Sequence, residues 1–548
     1  MNNVLTEVRN FAEQQLEHLY HLNKIGSALS AEKDINKIFE MIIDEAMKFT
    51  SADGGTIYVL SNDERNLEFA IAVNISLKVR KGGTYGKIDW PPVPMYDKYN
   101  NPNHHNVSTY VAHTGKAMNI EDVYDLEGFD MSGTKKYDEA NDYRSKSMLV
   151  IPMRNHEDDI IGVLQLINAQ DNNWNVIPFS KEKERLVLSL ASQAAVALTN
   201  KTLIKGLQDL LEAFIKSIAN AIDKKSAYTG EHIRKVAELT MMIANAINND
   251  DENCIGLHFS DDQLTEIRIA GWMHDIGKII TPEAIMDKST KLQTIFDRIE
   301  LIDTRFQAVK KEIKIRYLTK ELEMYKSGNI DEDKIKQLHK DLDFQLAEID
   351  NYLEFLRYIN IGREKMDNKE LEKLEHIASK KIQWNDNDRL LNNDELENLS
   401  IRKGTLTGKE FSIMKAHAYI TERMLIELPF PKKMRNIPLF ASAHHERLDG
   451  TGYPHGLKGK EIPLQSRIIA IADIYEALVA QNRPYKKGKT LSEALSIMAN
   501  DVKNGKIDKD IFELFIDKKI YLEYAKKEIN PSQIDEVNIE KIKEIYKK

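Results

Sequence analysis

Partway along this 548-residue chain the spacing of its hydrophobic residues changes, and that change restricts what it can fold into. Between about 31 and 199, the short β-type runs GGTIYVL, LEFAIAV, SMLVIPM and DIIGVLQLIN follow a helical stretch, INKIFEMIIDEAMKFT, and are separated by Asp, Asn and Gly turns. From about 205 onward the apolar residues recur at three- and four-residue steps, the period of an amphipathic helix. The chain exceeds what one core usually organises, so the two patterns predict separate domains. The expected fold class is multidomain, an α+β domain followed by an all-α helical bundle.

Three further segments stand out. Residues 1–30 place Val4, Val8, Phe11, Leu19, Leu22 and Ile25 at helical spacing, which predicts an N-terminal amphipathic helix. A second helix is expected over 180–223, with Leu203, Leu207, Leu210 and Phe214 on one stripe, as a connector and a dimer seam. Between Pro282 and Pro429 there is no proline. There Ile295, Ile299, Ile302, Phe306, Val309 and Ile313 form one heptad-type seam. Ile335, Leu338, Leu342, Leu346, Ile349, Leu353 and Leu356 form another, with SGNID between them as a turn. Residues 293–404 are therefore read as an inserted helical hairpin with a further helix, dividing a bundle of 205–292 and 405–548.

The formal charge of −9 disfavours binding to a nucleic acid polymer, whose phosphates need a basic face. A single cysteine, Cys254, permits no intrachain disulfide and fits a reducing compartment, so the expected location is cytoplasmic. The opening MNNVLTEVRNF does not read as a secretory signal. The least polar long stretch, Leu186 to Leu198, falls short of the roughly 20 apolar residues of a membrane span.

Chemistry is suggested by five histidines in particular contexts: His232 in YTGEHIRKV, His274 in GWMHDIGKI, His417 in MKAHAY, and His444 and His445 in ASAHHERLDGTGYP. With Asp275 and Asp473 they make the donor set that first-row divalent metals prefer, and a carboxylate such as Asp275 can bridge two ions. Lys278 follows His274 by four residues and Asp275 by three, so on a helix the three share a face and the ammonium can reach an anion held there. Glu446 is a candidate to orient one imidazole by hydrogen bonding. A lone histidine on an apolar helix is more often a core residue, and adjacent histidines such as His104 and His105 also occur on surfaces.

The order and context of HDIGK, HHERLDGTGYPHGLKGKEIP, SRIIAIADIYEAL and RPYKKG resemble the HD-GYP family, a branch of the HD phosphohydrolase superfamily, over about 205–292 and 405–525. That resemblance implies a helical bundle holding two or three iron or manganese ions, and hydrolysis of cyclic di-GMP to its linear dinucleotide or onward to GMP. Carried over by motif, His232, His274, Asp275, His417, His444, His445 and Asp473 would be metal ligands, with Lys278 and Asp275 catalytic. Arg483 and Lys486 would lie near the substrate. Arg467 is suitably basic for a ligand with two phosphates, and Tyr453 and Gly452 in DGTGYP could present a ring and backbone to a base, or form only a tight turn.

The chain departs from the family pattern in four places. Tyr228 stands where members with a third metal carry a glutamate, so two divalent ions are expected. Glu476 replaces the usual aspartate before Ala-Leu, and one extra residue precedes RPY. The insertion separates His274 from His417 by 143 positions, and as a lid, a protein-partner surface or a dimer contact its role stays open.

Residues 31–199 resemble a GAF domain through YRSKSMLVIPM, DIIGVLQLINA and SKEKERLVLSLASQAAVAL. Asn168, Phe179 and Glu184 match the pattern of cyclic-nucleotide-binding members, whereas Ala169 and Lys183 do not. The expected arrangement is a sensor, with an unknown small ligand or a dimer contact, controlling the catalytic bundle. The alternatives are a non-catalytic signalling adaptor that responds to cyclic dinucleotide, and an HD-type phosphohydrolase of another nucleotide.

Overall fold

The computed structural model describes residues 16, 20, 23–225, 231–250, 256, 258–328, 331–362, 365–384, 387–481 and 488–547. It divides into two compact units, Met1–Leu210 and Leu211–Lys548. Most of the helix expected over 1–30 lies outside the described residues. Its end, 23–31, is helical and buries Ile25 and Leu29.

The first unit is built on an antiparallel sheet. Its strands are β1 (Ala52–Leu60), β2 (Asn66–Asn74), β3 (Val79–Gly82), β4 (Val93–Pro94), β5 (Met118–Ile120), β6 (Met148–Arg154), β7 (Ile160–Gln170) and β8 (Val176–Ile177). The spatial order is β3-β2-β1-β7-β6-β5, with β4 on β2 and β8 on β7. Strand β6 reads MLVIPM without alternation because both faces are covered. Leu149, Ile151 and Met153 pack in one core with α1 (Ile35–Thr50), while Met148 and Val150 point into a second core with α2 (Val107–Thr114). A short helix, α3 (Ser132–Asn141), follows. Asn168 of β7 ties down the loop before β6, accepting from the Lys146 N–H and donating to the Tyr143 hydroxyl and the Arg144 carbonyl. Lys183 donates to the Thr50 carbonyl, and Glu184 accepts from Asn119.

Helix α4 runs from Lys181 to Lys225. Leu203, Leu207, Leu210 and Phe214 on it are each more than half exposed.

The second unit is helical. Its core joins Ile233, Val236, Leu239 and Ile243 of α5 (His232–Asn248), Ile267 and Ala270 of α6 (Asp261–Met273), and residues of the C-terminal helices described below. The segment between Leu292 and Leu399 has a core of its own. There Ile302, Phe306, Val309 and Ile313 of α7 (Ile299–Lys326) meet Ile349, Leu353 and Leu356 of α8 (Glu332–Asn360), with Leu374 and Ile377 of α9 (Asn368–Ser379) and Leu399 of α10 (Asn393–Leu399). The expected seam is too long at one end: Ile295 precedes the helix and is 98% exposed. A two-stranded ribbon, Lys381–Trp384 with Asn387–Arg389, is also present where only helix was expected.

At the base of this segment the buried Lys288 ammonium donates to Asn398 at 2.9 Å and to Glu410 at 2.8 Å, and Lys291 donates to the Leu399 carbonyl at 2.9 Å. Bundle helices α11 (Gly408–Ile426), α12 (Ile437–Ser442), α13 (Leu464–Val479), α14 (Leu491–Lys503), α15 (Lys509–Asp517) and α16 (Ile520–Glu528) follow. Tyr475 is fully buried at their centre against Phe515, and its hydroxyl donates to the Tyr521 carbonyl. None of the described helices is long and apolar enough to cross a membrane.

Candidate metal centre

Five elements deliver polar side chains to one point of the bundle. His232 opens α5, and His274 ends α6, with Asp275 directly after it. His417 lies on α11, His444 and His445 on a 3-10 turn after α12, and Asp473 on α13. Local sequence sets where two of these helices begin. Ser260 and Gln263 form a capping box at the start of α6, as Thr407 and Glu410 do for α11. Gly277 permits the turn after Asp275 to lie against α11, since a Cβ there would come within 2.0 Å of the His417 carbonyl oxygen. Thr421 pins the same turn, accepting from the Gly277 N–H at 3.0 Å and donating to the His274 carbonyl at 3.1 Å.

Asp275 stands between two groups of imidazoles. Its Oδ2 lies 3.3 Å from His274 Nε2 and 3.5 Å from His232 Nε2, while its Oδ1 lies 3.4 Å from His417 Nε2 and 4.0 Å from His444 Nε2. Asp473 spans the same gap, with Oδ1 3.3 Å from His232 and Oδ2 3.9 Å from His445. Two trios result, His232 with His274 and Asp275, and His417 with His444 and His445, the ligand atoms of each lying within 4.8 Å of one another.

Three of the imidazoles turn an unprotonated nitrogen inward. His274, His417 and His444 use Nδ1 to donate to the carbonyls of Gly271, Met414 and Ala441 at 2.8, 2.5 and 2.6 Å, which leaves each Nε2 as a bare lone pair. Burial lowers the pKa of His417, holds that of His444 well below the usual imidazole value and brings that of His445 to about 3, so these rings are neutral at pH 7. Burial also works against ionisation of His232, yet Glu476, Asp275 and Asp473 together raise it well above the usual value. Burial opposes charge on Asp275 too, but Lys278 and His274 hold it well below the carboxylate range.

Among the described residues, His274 Nε2, His417 Nε2, His444 Nε2 and Asp275 Oδ1 are buried polar atoms with no hydrogen-bond partner. Each such atom costs about 1–3 kcal/mol if left alone. Four of them converging, from imidazoles and a carboxylate, fit divalent metal ions of the kind bound by N/O donors.

The other candidates fall in several places. The Lys278 ammonium lies 2.5 Å from Asp275 Oδ2. The Tyr453 ring stands 4.8 Å from His445 and 6.3 Å from His417, with the Lys415 ammonium 5.3 Å from its centroid. Gly452 packs the loop on the histidine segment, since a Cβ would meet the Arg447 nitrogen at 2.4 Å and Glu446 Cα at 2.5 Å.

Glu446 orients no imidazole. Its buried carboxylate accepts from the main-chain N–H groups of His455, Gly456 and Leu457 at 2.7, 3.0 and 3.1 Å and so folds the loop after the histidines. Arg467 is turned away to structure, donating to the Ile462 carbonyl at 2.8 Å and to Asp508 at 2.9 Å. Arg483, Lys486 and Tyr228 lie outside the described residues.

The residue that does orient an imidazole is Glu476, whose Oε2 lies 2.5 Å from His232 Nδ1. In the sequence Glu476 stands out only as a departure from a family pattern. Its place one helical turn after Asp473 was the available signal, because it faces the same way along α13.

Residues 34–198 match the GAF domain family, and residues 229–357 and 393–511 match HD domain families. The chain is 38% identical over 120 residues to 3'3'-cGAMP-specific phosphodiesterase 1 of Vibrio cholerae serotype O1, covering 22% of this chain and 27% of that protein. It is 44% identical over 98 residues to the cyclic di-GMP phosphodiesterase of Thermotoga maritima, covering 18% and 26%. To the cyclic di-GMP phosphodiesterase response regulator RpfG of Xanthomonas campestris pv. campestris it is 41% identical over 105 residues, covering 19% and 26%. The chain thus spans about a quarter of the length of these curated relatives. Fold and matched segments together give an N-terminal GAF-like domain followed by a largely helical region that matches HD domain families.

Proposed function

We propose that this chain is a metal-dependent phosphodiesterase that hydrolyses a cyclic dinucleotide, cyclic di-GMP, first to its linear dinucleotide. The observation that carries the reading is the pair of carboxylates, Asp275 and Asp473, each turning one oxygen to either trio of donors. The names of the three relatives above support the substrate class.

His232, His274 and Asp275 would hold one divalent ion and His417, His444 and His445 a second, with Asp473 beside both; iron or manganese suits these donors. Ions bound there supply a water that ionises near neutral pH and a positive field for the phosphoryl oxygens. The protein's own part is to hold this geometry before substrate arrives. The Nδ1 hydrogen bonds keep Nε2 of three imidazoles unprotonated and aimed inward. Lys278 Nζ, beside Asp275, neutralises the charge growing on the phosphate and delivers a proton to the departing ribose oxygen. The Tyr453 ring offers a flat apolar face to a base.

The GAF domain acts as the sensor, a second copy of the chain packs along the exposed stripe Leu203, Leu207, Leu210 and Phe214, and the protein works in the cytoplasm. A sensor ligand changes turnover by no more than its preference for one arrangement of the chain. Incubation with cyclic di-GMP and, separately, 3'3'-cGAMP, with products separated by chromatography, tests the substrate. Cyclic di-GMP is expected to be cleaved at the higher kcat/KM. Preference for 3'3'-cGAMP, in line with one relative's name, would move the assignment within the class, and cleavage of neither would remove it.

A further inference from the structure

The last turn of α4 supplies no ligand candidate, yet it touches the scaffold of the centre twice. The Lys225 ammonium donates to the main-chain oxygens of Lys278 at 3.4 Å, of Thr281 at 2.8 Å and of Ile279. These carbonyls close the 3-10 turn Ile276–Ile280, which follows Asp275 and carries Lys278. Two residues earlier, the buried Asp223 carboxylate accepts from the Ile233 N–H at 3.3 Å, next to His232. One turn of one helix therefore braces both chain segments that bear His232, His274 and Asp275.

The chemistry favours a lysine here. Carbonyls at the end of a helical turn carry partial negative charge, which a cation satisfies, and the Lys278 oxygen takes the Thr281 N–H as well. A lysine ammonium has three rotatable donors on a long stem and can serve several carbonyls at once. Lys278 Nζ is 2.5 Å from Asp275 Oδ2, so any shift of this turn moves the ammonium against the carboxylate. Displacement of a reacting group by about 1 Å can cost on the order of 100-fold in rate.

We propose that Lys225 is a positioning residue: by holding the main chain of 278–281 it sets where the Lys278 ammonium stands, and it makes the end of α4 a point at which that helix governs turnover. This rests on the phosphodiesterase reading above.

The test uses the full chain loaded with manganese. Lys225→Met keeps the stem and removes the donors, and kcat on the cyclic dinucleotide is expected to fall on the order of tenfold or more, with KM and bound metal unchanged. Lys225→Arg, which restores charge and donors, should recover most of that loss, whereas a residue serving only stability would alter the melting temperature without this split. Hydrogen exchange in Lys225→Met should speed up at 276–281 and not in α13. A kcat within twofold of the parent, or unchanged exchange at 276–281, overturns the proposal. If Lys225→Met does not fold, Lys225→Gln takes its place under the same criteria. If the parent itself cleaves no cyclic dinucleotide, the functional reading fails, while the exchange measurement still decides whether Lys225 holds the turn.

Discussion

Replacing Glu476 is expected to loosen metal binding more than its distance from any ion would suggest. Its carboxylate is buried and lies 2.5 Å from Nδ1 of His232, while His274, His417 and His444 are held through Nδ1 by main-chain carbonyls. A carboxylate in that position fixes ring orientation and makes the other nitrogen a stronger donor. Loss of such a partner typically costs 10–100-fold in metal affinity, about 1.4–2.7 kcal/mol. Glu476→Ala removes both effects and should fall near the upper end. Glu476→Gln keeps an oxygen for the Nδ1 proton but not the charge, and should fall near the lower end. The assay is retained metal after dialysis against graded chelator, measured by elemental analysis, with the melting temperature recorded in parallel. If Glu476→Ala kept its metal to within twofold of the parent's chelator concentration, the role assigned to this carboxylate would be wrong.

Three further outcomes are expected. Gly277→Ala should lower stability by about 3 kcal/mol in chemical denaturation, because the added Cβ meets main-chain atoms of His417 and Thr421 that cannot move aside. Arg467→Ala should reduce stability by about 1–2 kcal/mol through loss of the partly buried Asp508 pair while leaving KM unchanged; a raised KM would return Arg467 to the substrate. Burial pushes the Glu410 carboxyl up, but Lys288 and the Thr407 cap outweigh it and hold it below its ordinary value of 4.5. Its contribution to stability is therefore present above about pH 4.5 and is lost as pH falls through the lower folded value, so the deficit of Glu410→Gln should be full at pH 7 and shrink under acid. A deficit that grew on acidification would reverse that sign.

What the sequence made legible follows from how local each feature is. HDIGK carries its chemistry within five residues, and the geometry of one turn is enough to place Lys278 beside Asp275. The strand runs of the first unit and the paired seams of α7 and α8 are likewise written in short-range periodicity, with Ile295 assigned to a seam only because spacing does not mark where a helix starts. Most of the partnerships that were missed or misread are long-range. Glu476 reaches His232 across 244 positions, Arg467 finds Asp508 across 41, and Lys225 meets Thr281 across 56. Glu446 beside two histidines suggests a role on an imidazole, whereas the loop that returns over it offers three N–H groups that a carboxylate satisfies better. Side-chain partners of that kind depend on packing that no window of sequence contains.

The central claim is that the chain hydrolyses a cyclic dinucleotide with metal that Asp275 and the two histidine groups would hold. It is tested most directly by metal content and product measured on the same anaerobically prepared protein, parent beside Asp275→Ala, with cyclic di-GMP as substrate. The account predicts about two iron or manganese ions per chain and linear dinucleotide from the parent, with less metal and no product from the variant. A parent that binds both ions and yields no product, or a variant that cleaves as the parent does, would contradict it.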